Sequence, residues 1–538
     1  MMKRIAAMLC LLLAGLGMSW SGGANAQISY GEVPTDYLPT FGGWNPRSTF
    51  SSTYWTVRDV TNASLVGAAN VIVPNDGSDV ADRIMAIAAS SPNPMVIYFP
   101  AGQYELKKSV TISRSNIVIR GAGKGLTTFV ISAPSSANAQ FTLLGGGFST
   151  EIGTITNVPM RGDDYMIAAD VSGIAVNDIL RVYDNSRSNG FSGHNWQQFL
   201  RVTAIDPATR RVTFASRLGL NYNGTATVPG QPRFVKVNMI QNVAFENFTI
   251  TRTRNAAAGT HNLFIRYAWN AHVRGTEVKN LVSGGISLGS VYNALVTDND
   301  VHNSVDPVAG YGDGGKAYGI NVGAVSICEV SNNKLWNLRH HIILHIGTNF
   351  CVVAYNSAEP GYFGTSGDLD MHGYTAHNNL YEGNQGAVLI FDGRSDTGML
   401  ETQGLYNTMY RNQLRRPGIN GANGIALQGP ASSGNFTHFG ITIVGNDQID
   451  TKIDYTSTGS QGPYNGANIV KKVGANRLGE TVVTPDVEID PNGTFPASLY
   501  APGKPAYLGS KPWPLFGPGV ADWGRNNTLP AADRPQTP

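Results

Sequence analysis

The strongest constraint on the fold is a ladder of short β-rich segments, each with an asparagine near a turn. The successive asparagines are separated by 52, 34, 23, 28, 28 and 34 residues, and VRGTEV at Thr276 divides the first gap. A repeat of this length without amphipathic helices is typical of a β-solenoid, in which each coil buries its inward face against its neighbours. We therefore expect the asparagine side chains to hydrogen-bond along the stack. The asparagines are Asn247, Asn299, Asn333, Asn356, Asn384, Asn412 and Asn446.

The two cysteines of the ladder fit the same repeat. Cys328 and Cys351 are 23 residues apart, and each lies five residues before the asparagine of its own segment. They should therefore occupy equivalent positions on adjacent coils. Because a small buried thiol suits a column of core side chains, the sequence favours stacked free thiols over a disulfide.

Composition and the N-terminus restrict the setting of the protein. The chain has 63 glycines, only 14% charged residues and a net charge of +2, which describes a turn-rich β protein with no basic field for nucleic acid. Residues 1–26 resemble a secretory signal peptide, with Lys3 and Arg4, an apolar run and an Ala-Asn-Ala cleavage site before Gln27. No later stretch approaches the length of a membrane span. We expect a secreted or periplasmic protein without a membrane partner.

The remaining chain divides into four predicted parts. Residues 27–144 form an N-terminal segment and the first coils, including a helix over residues 78–89 with Val80, Ile84, Ile87 and Ala88 on one side. Residues 145–235 break the repeat with alternating strand patterns and form a β-rich insertion. The main ladder occupies residues 236–450. Residues 451–538 form a last coil and a Pro/Gly-rich tail, which we expect to cover the open end of the solenoid and protect its strand edges.

Residues 75–124 carry a family resemblance. The helix, the FPAGQY segment and the Gly-rich turns up to GAGKG resemble the N-terminal coil of pectate-lyase-like right-handed β-helix proteins. The resemblance covers nearly all the mature chain at the level of fold. It implies an all-β, right-handed parallel β-helix with an N-terminal capping helix, a small β insertion and a Pro/Gly-rich C-terminal wrap.

The segment RHHIILH, residues 339–345, is the most unusual part of the ladder. Its isoleucines and the following turn predict a strand. Alternation then places Arg339, His341 and His345 on the outer face, and His340 inward as a hydrogen-bonded core residue. Because strand residues four apart are about 13 Å apart, His341 and His345 should not share a metal ion.

Neighbouring coils add further polar residues to the same wall. Counted back from the asparagine of each coil, Lys316 and Arg339 both lie 17 residues before it and Asp368 lies 16 before it. Because adjacent rungs are about 4.8 Å apart, these residues should form one patch. The predicted patch comprises Lys316, Tyr318, Arg339, His341, His345, Asp368, Asp370 and His372. Asp392, Arg394 and Tyr374 are the predicted additional substrate contacts.

The resemblance gives the patch a chemical interpretation. Proteins of the resembled superfamily bind polysaccharides along the solenoid, and many are lyases that act on uronic acids. Arg339 and Lys316 would pair with the sugar carboxylate. His341 or His372 would act as the base and Tyr318 as the acid. Asp368 and Asp370 would orient an imidazolium or bind calcium, the one cofactor that the sequence suggests. We therefore expect a secreted lyase that cleaves a uronic-acid-containing polysaccharide by β-elimination.

Three alternatives stay open from the sequence. A glycoside hydrolase would need two carboxyl groups about 5 Å or 6.5 to 9.5 Å apart, such as Asp368 with Asp370 or Asp370 with Asp392. A C5-epimerase would use nearly the same groups as a lyase. A non-catalytic glycan-binding solenoid would instead use outward aromatic residues. The candidates for that role are Tyr362, Tyr374 and Trp336.

Overall fold

A computed structural model describes residues 55–90 and 93–536 of the chain with interruptions. The interruptions are residues 135, 137, 139, 185–187, 190–192, 195, 224–229, 254–255, 258, 306–314, 360–367, 373–374, 387–388, 393–405, 416–421, 429–438, 450, 455–469, 475–476, 479–480 and 483–494. The predicted signal peptide lies outside the described residues. In the described part of the chain, no helix has the length and apolar character needed to cross a membrane.

The chain folds as an all-β right-handed parallel β-helix. The larger sheet has 19 strands in the described residues, nearly all paired in parallel with the preceding and following coils. Its strands are Thr56–Asp59, Met95–Phe99, Val110–Ile112, Ile117–Gly121, Phe141–Leu144, Ile240–Glu246, His261–Arg274, Gly284–Thr297, Tyr318–Ser331, His340–His345, Asn349–Ala354, Leu369–His372, Leu380–Glu382, Leu389–Asp392, Thr408–Tyr410, Ala422–Gln428, Phe439–Val444, Thr451–Asp454 and Val470–Gly474.

The second solenoid sheet has 12 strands in the described residues and closes each coil. These strands are Gly102–Leu106, Thr127–Ile131, Thr249–Arg252, Glu277–Leu281, Asp300–Ser304, Lys334–Trp336, Ser357–Ala358, Gln385–Gly386, Gln413–Arg415, Asp447–Ile449, Arg477–Leu478 and Thr481–Val482. The long strands of the larger sheet bend, so that the sheet supplies two walls. We call residues 261–266, 284–289, 318–323, 340–345, 369–372 and 389–392 the first wall, and residues 271–274, 294–297, 328–331, 351–354, 380–382 and 408–410 the second wall.

Buried asparagines connect the coils as predicted. The side-chain amide of Asn333 donates to Asn356 Oδ1 at 2.9 Å, and the same bond recurs from Asn299 through Asn446 at 2.9–3.0 Å. Thr276 continues the ladder, because its hydroxyl donates to Asn299 Oδ1 at 2.8 Å. Asn247 does not take part. The register places it one residue before the ladder position, opposite Gly275, where it adopts a left-handed backbone with φ 59°.

Two further sequence predictions are confirmed in the core. Cys328 and Cys351 are register partners on adjacent coils, both buried as free thiols. Burial raises the pKa of the Cys351 thiol well above its usual value. The N-terminal helix spans Ala81–Ala89, three residues shorter at its start than predicted, and buries Ile84 and Ile87 against the solenoid core, as the spacing of its apolar residues indicated. The other short helices are Ala63–Val66 and Pro530–Asp533, with 3₁₀ turns at Ala68–Asn70, Ala506–Leu508 and Ala521–Gly524.

The predicted β insertion is a separate antiparallel sheet with its own apolar core. Its core includes Leu180, Val182, Leu200 and Phe234. The six strands are Gly147–Thr154, Tyr165–Ile167, Ile179–Asp184, Gln197–Asp206, Arg211–Phe214 and Pro232–Asn238, and a two-stranded ribbon pairs Ser188–Asn189 with Gly193–His194. We refer to the six strands as the inserted sheet.

In its described part, residues 495–536, the C-terminal wrap lies along the side of the solenoid and not over the open end as predicted. Tyr500, Leu515 and Phe516 pack on outward apolar residues of the second wall, such as Val352 and Leu380. A polar contact at each of two distant coils fixes the path of the tail. Arg525 Nε is 3.0 Å from Asp447 Oδ2, and Arg534 Nε is 2.8 Å from Asp300 Oδ1. These outward apolar side chains on successive coils give the tail apolar area to bury along the second wall, which accounts for its lateral path.

Candidate functional site

Candidate functional side chains stand on the outer face of the first wall. Inward residues of this wall, such as Ile342, Leu344, Leu369 and Met371, belong to the solenoid core. The residues between them point outward and align in columns across the coils. The first column is His261, Gly284, Tyr318 and His340, and the second contains Phe264, Ser287, Asn321, Ile343 and Asp370. The third contains Arg266, Gly289, Gly323 and His345.

RHHIILH forms the predicted strand, but its first residues do not alternate. The amides of residues 339 and 340 both donate to Ala317 O, at 3.0 and 3.3 Å. The amides of residues 341 and 342 both donate to Asp368 O, at 3.1 and 2.9 Å. In a regular strand, successive amides point to opposite neighbouring strands and successive side chains to opposite faces. The two doublets therefore reverse the facing of residues 340 and 341 and leave that of residues 339 and 342 unchanged.

This irregularity exchanges the predicted places of the two adjacent histidines. Gly284 lies opposite Tyr318 in the column that leads to His340, and a Cβ on Gly284 would meet the outward Ser287 Oγ at 2.2 Å. Gly319 lies opposite His341, and a Cβ there would meet the core side chain of Leu338 at 2.7 Å. The prediction that His341 faces outward and His340 inward is therefore wrong. His340 is on the outer face and His341 is inside.

Four polar side chains meet on the outer face, and we call Tyr318, Arg339, His340 and Asp370 the outer-wall cluster. Arg339 Nη1 is 3.3 Å from the Tyr318 hydroxyl. The Tyr318 and His340 rings contact edge to face with centroids 5.1 Å apart. His340 Nδ1 is 3.1 Å from Asp370 Oδ2. All four residues are at least 91% buried, so the cluster is held in one arrangement by its own contacts.

Inside the solenoid, His341 and Asp368 form a separate pair. His341 Nδ1 is 3.0 Å from Asp368 Oδ1, and both side chains are buried. A Cβ on Gly386, in the second solenoid sheet, would lie 3.9 Å from Asp368 Cβ, which places Asp368 at an interior corner of the coil. The prediction that His341 is a base on the outer face, with Asp368 as its partner there, is therefore wrong. The two residues form a buried pair inside the solenoid.

The other predicted residues are divided between the wall and undescribed positions. His345 is half-buried and lies over Gly323, with Nε2 2.7 Å from where a Cβ on that glycine would be. Lys316 is half-buried and lies two residues before Tyr318. The backbones of His372 and Asp392 are register partners, but their side chains are outside the described residues. Tyr374 and Arg394 lie wholly outside the described residues, as does Tyr362.

The structure does not favour a calcium site on the two predicted aspartates. Asp370 is outside and Asp368 inside the solenoid, so their carboxylates cannot bind one ion together. In the described residues no group of three His, Cys, Asp or Glu side chains could hold a metal ion. Trp336 faces outward as expected, because it alternates with the core residue Leu335, but it is buried and its ring stacks on that of His302 with centroids 3.9 Å apart.

The sequence missed His340 as an outer-face residue. One signal was present in the sequence, because Tyr318 and His340 are 22 residues apart, one less than the 23 that separate the asparagines of their coils. Counting from the asparagines therefore aligned Tyr318 with His341. The observed register aligns Tyr318 with His340, because the extra residue lies between His345 and the next strand rather than before it.

Comparisons with known proteins find similarity of fold only. The sequence matches no protein family and no curated protein. The structure is similar to the tailspike gp61 of Pseudomonas phage phi297, with a TM-score of 0.55 and 14% identity over 78% of this chain and 67% of that one. It is also similar to the tailspike gp49 of Pseudomonas phage LKA1, with a TM-score of 0.52 and 17% identity over 73% of this chain and 62% of that one.

A third similar structure is the Gp54 tailspike of Acinetobacter baumannii bacteriophage AP22, in complex with capsular saccharide. Its TM-score is 0.49, with 14% identity over 77% of this chain and 79% of that one. The present chain spans about two thirds of the length of the two Pseudomonas phage tailspikes. Together these two establish the parallel β-helix, with no more specific relationship to pectate-lyase-like proteins.

Proposed function

We propose that the protein is a secreted carbohydrate-active enzyme that cleaves a uronic-acid-containing polysaccharide by β-elimination at the outer-wall cluster. The observation that carries the proposal is the contact of one cation, one phenol and one carboxylate-paired imidazole on the outer face of a parallel β-helix. β-Elimination next to a carboxylate needs these three functions and no others. The proposal keeps the reaction predicted from the sequence and replaces His341 by His340.

Each residue of the cluster has one role in this reaction. Arg339 pairs with the sugar carboxylate, and its charge stabilises the negative charge that develops as the C5 proton leaves. His340 takes that proton, and Asp370 fixes its ring and stabilises the imidazolium. The electrons of the C5–H bond form the C4–C5 double bond, and the bond from C4 to the glycosidic oxygen breaks. Tyr318 donates its proton to the departing oxygen.

The alternative hydrolase is less well supported by the geometry. The pair of Asp368 and Asp370 is unsuitable, because the solenoid wall separates the two carboxylates and each is paired with a histidine. Retaining and inverting mechanisms both require two carboxyl groups that face the same glycosidic bond. A lyase uses the histidine, arginine and tyrosine that the cluster brings together, whereas a hydrolase would leave them without a role.

The test compares two neighbouring histidines. His340→Gln should lower turnover of an acidic polysaccharide by about 10²-fold or more, the usual effect of losing a general base, while polysaccharide binding is retained. His341→Gln is the matched control. It should lower the melting temperature, because it disrupts the buried contact with Asp368, but folded protein should retain turnover. Loss of turnover in His341→Gln and not in His340→Gln would refute the assignment. Retained turnover in both would remove this cluster from the reaction.

A further inference from the structure

A second surface on the first wall has no role in the reaction described above. A groove of about 410 Å³ runs between the inserted sheet and the solenoid. It is open to solvent and begins beside His345, so it is continuous with the wall that carries the outer-wall cluster. Its lining includes Phe148 and Arg181 from the inserted sheet, and His261, Arg266, Tyr267 and Ser287 from the solenoid.

Arg181 is a half-buried cation that has no carboxylate partner among the residues that the structure describes. Its guanidinium lies over the Phe148 ring at 4.1 Å and over the Tyr183 ring at 4.6 Å. Its Nε is buried and has no hydrogen-bond partner, and in the described residues Arg181 forms no ion pair. Burial lowers the pKa of Arg181, and its interactions with Tyr183 and Tyr267 offset this cost of burying the charge only in part. An anion in the groove would pair with the guanidinium charge.

Arg266 faces the same groove from the solenoid. It is exposed, its guanidinium is 4.7 Å from the centre of the Tyr267 ring, and it has no ion pair within the described chain. The Tyr267 and Phe148 rings contact edge to face at 5.3 Å, and both are half-buried. The groove therefore presents two arginines from opposite sides with aromatic surface between them. Arginine forks recognise carboxylates, and aromatic faces offer apolar area to a ring.

The base of the groove adds neutral hydrogen-bonding groups. His261 Nδ1 is 2.8 Å from the Ser287 hydroxyl oxygen. Burial, together with the charge of Arg252, lowers the pKa of His261 to about 4, so the imidazole is neutral near pH 7. A neutral imidazole and a hydroxyl can each donate and accept hydrogen bonds, which suits the hydroxyl groups of a sugar.

The groove lies at a definite distance from the outer-wall cluster. His261, Gly284, Tyr318 and His340 follow one another in the same column. Three rungs separate His261 from His340, which corresponds to about 14 Å along the solenoid axis. A polymer lying along this wall could therefore contact both places at once through different sugar residues.

We propose that this groove is a remote subsite that binds an anionic sugar residue of the polysaccharide substrate. Arg181 and Arg266 bind the acidic group, and Phe148 and Tyr267 contact the sugar ring. The inference rests on the proposed function for the identity of the polymer. It adds that the substrate runs parallel to the solenoid axis, toward the inserted sheet, and that it carries negative charge several residues away from the bond that is cleaved.

The test measures dissociation constants of the full mature chain for alginate, polygalacturonate and the neutral polymer dextran, by titration calorimetry. Arg181→Met and Arg266→Met should each weaken binding of the recognised acidic polymer about tenfold, the usual effect of losing one charge-assisted hydrogen bond. Arg211→Met is the matched control, because Arg211 also lies over an aromatic ring of the inserted sheet, 3.8 Å from that of Tyr165, but outside the groove. Melting curves establish that each variant is folded, and the exposed Arg266 keeps the test valid if Arg181→Met is unstable.

The outcomes separate this inference from the proposed reaction. Weaker binding in both groove variants, with the control unchanged, supports the subsite whether or not the polymer is cleaved. Cleavage by β-elimination with unchanged binding in both groove variants would overturn the subsite and leave the reaction standing. Binding that depends on the two arginines without any cleavage would overturn the reaction and leave the subsite. Equal affinity for dextran, or no binding to either acidic polymer, would overturn the subsite.

Discussion

The pH dependence of the C-terminal wrap follows from one buried carboxyl group. Glu382 lies on the second wall and its side chain is buried. It accepts hydrogen bonds from the Leu499 amide at 2.7 Å and the Tyr355 hydroxyl at 3.1 Å. Burial nevertheless raises its pKa from 4.5 to about 7, against the opposite effects of these bonds, Ser498 and the charge of Arg411. The tail therefore docks on a carboxyl group that is protonated over part of the physiological range.

The expected size of the effect can be worked from that pKa. A carboxyl whose pKa is higher in the folded state binds its proton more tightly there, so its stabilising contribution is complete below about pH 4.5 and is lost as the pH rises through 7. The difference of about 2.5 pKa units corresponds to about 3 kcal/mol in the free energy of unfolding. Glu382→Gln cannot ionise and keeps an oxygen acceptor for the Leu499 amide. As the pH rises from 4 to 8, the free energy of unfolding of this variant should therefore increase by about 3 kcal/mol relative to that of wild type.

The assay is urea unfolding of wild type and Glu382→Gln at several pH values between 4 and 8, followed by tryptophan fluorescence. Trp513 lies in the tail and donates to the Tyr355 hydroxyl at 3.1 Å, so its emission should report tail release. Glu151→Gln, at an exposed position of the inserted sheet, controls for the general effect of removing a carboxyl group. A stability difference between Glu382→Gln and wild type that does not change with pH would refute the reasoning. So would a variant that loses stability relative to wild type at pH 8.

Two other predictions address the ladder and the reaction. Asn356→Asp removes amide donations to Val330 O and Asn384 Oδ1 and buries a charge, so it should lower the free energy of unfolding by about 3 to 5 kcal/mol in urea titration. The control Asn337→Asp changes an exposed asparagine that bonds to Asn303 on the neighbouring coil, and should lower the free energy of unfolding by less than about 1 kcal/mol. An equal loss of stability in the two variants would contradict the stabilising role of the buried ladder. Tyr318→Phe should lower kcat about 10²-fold or more with KM little changed in steady-state kinetics, and an unchanged kcat would exclude Tyr318 as the acid.

The solenoid and its ladder could be predicted because their information is local and repeated. Each coil needs an inward apolar face and an asparagine at one position of the turn, and the bonds from Asn299 to Asn446 repeat those needs coil by coil. The stacking of Cys328 on Cys351 follows from the same counting. Thr276 shows that a threonine can replace an asparagine in the ladder, since its hydroxyl reaches the same acceptor.

Residue type could not predict the facing of the two histidines, because it depends on backbone hydrogen bonds, and the 22-residue spacing of Tyr318 and His340 was the one signal for it in the sequence. Two successive amides share Ala317 O and the next two share Asp368 O, which reverses the alternation that the residues alone would suggest. His340 consequently occupies the place assigned to His341.

The path of the tail and the groove depend on contacts between residues far apart in the sequence. Arg534 reaches Asp300 across 234 residues, and no local pattern in the tail indicates that partner. The groove likewise needs the inserted sheet to lie beside the first wall. Arg181 and Arg266 belong to different sheets, so neither residue alone suggested a shared site.

The most direct test of the account is to incubate wild-type protein with alginate and polygalacturonate, and to record ultraviolet absorbance of unsaturated uronyl ends together with reducing ends. β-Elimination forms one double bond and one reducing end for each bond that is cleaved, so both signals should rise in equal amounts on one acidic polymer. His340→Gln should abolish both signals. Reducing ends that accumulate without new absorbance would contradict β-elimination and indicate hydrolysis instead.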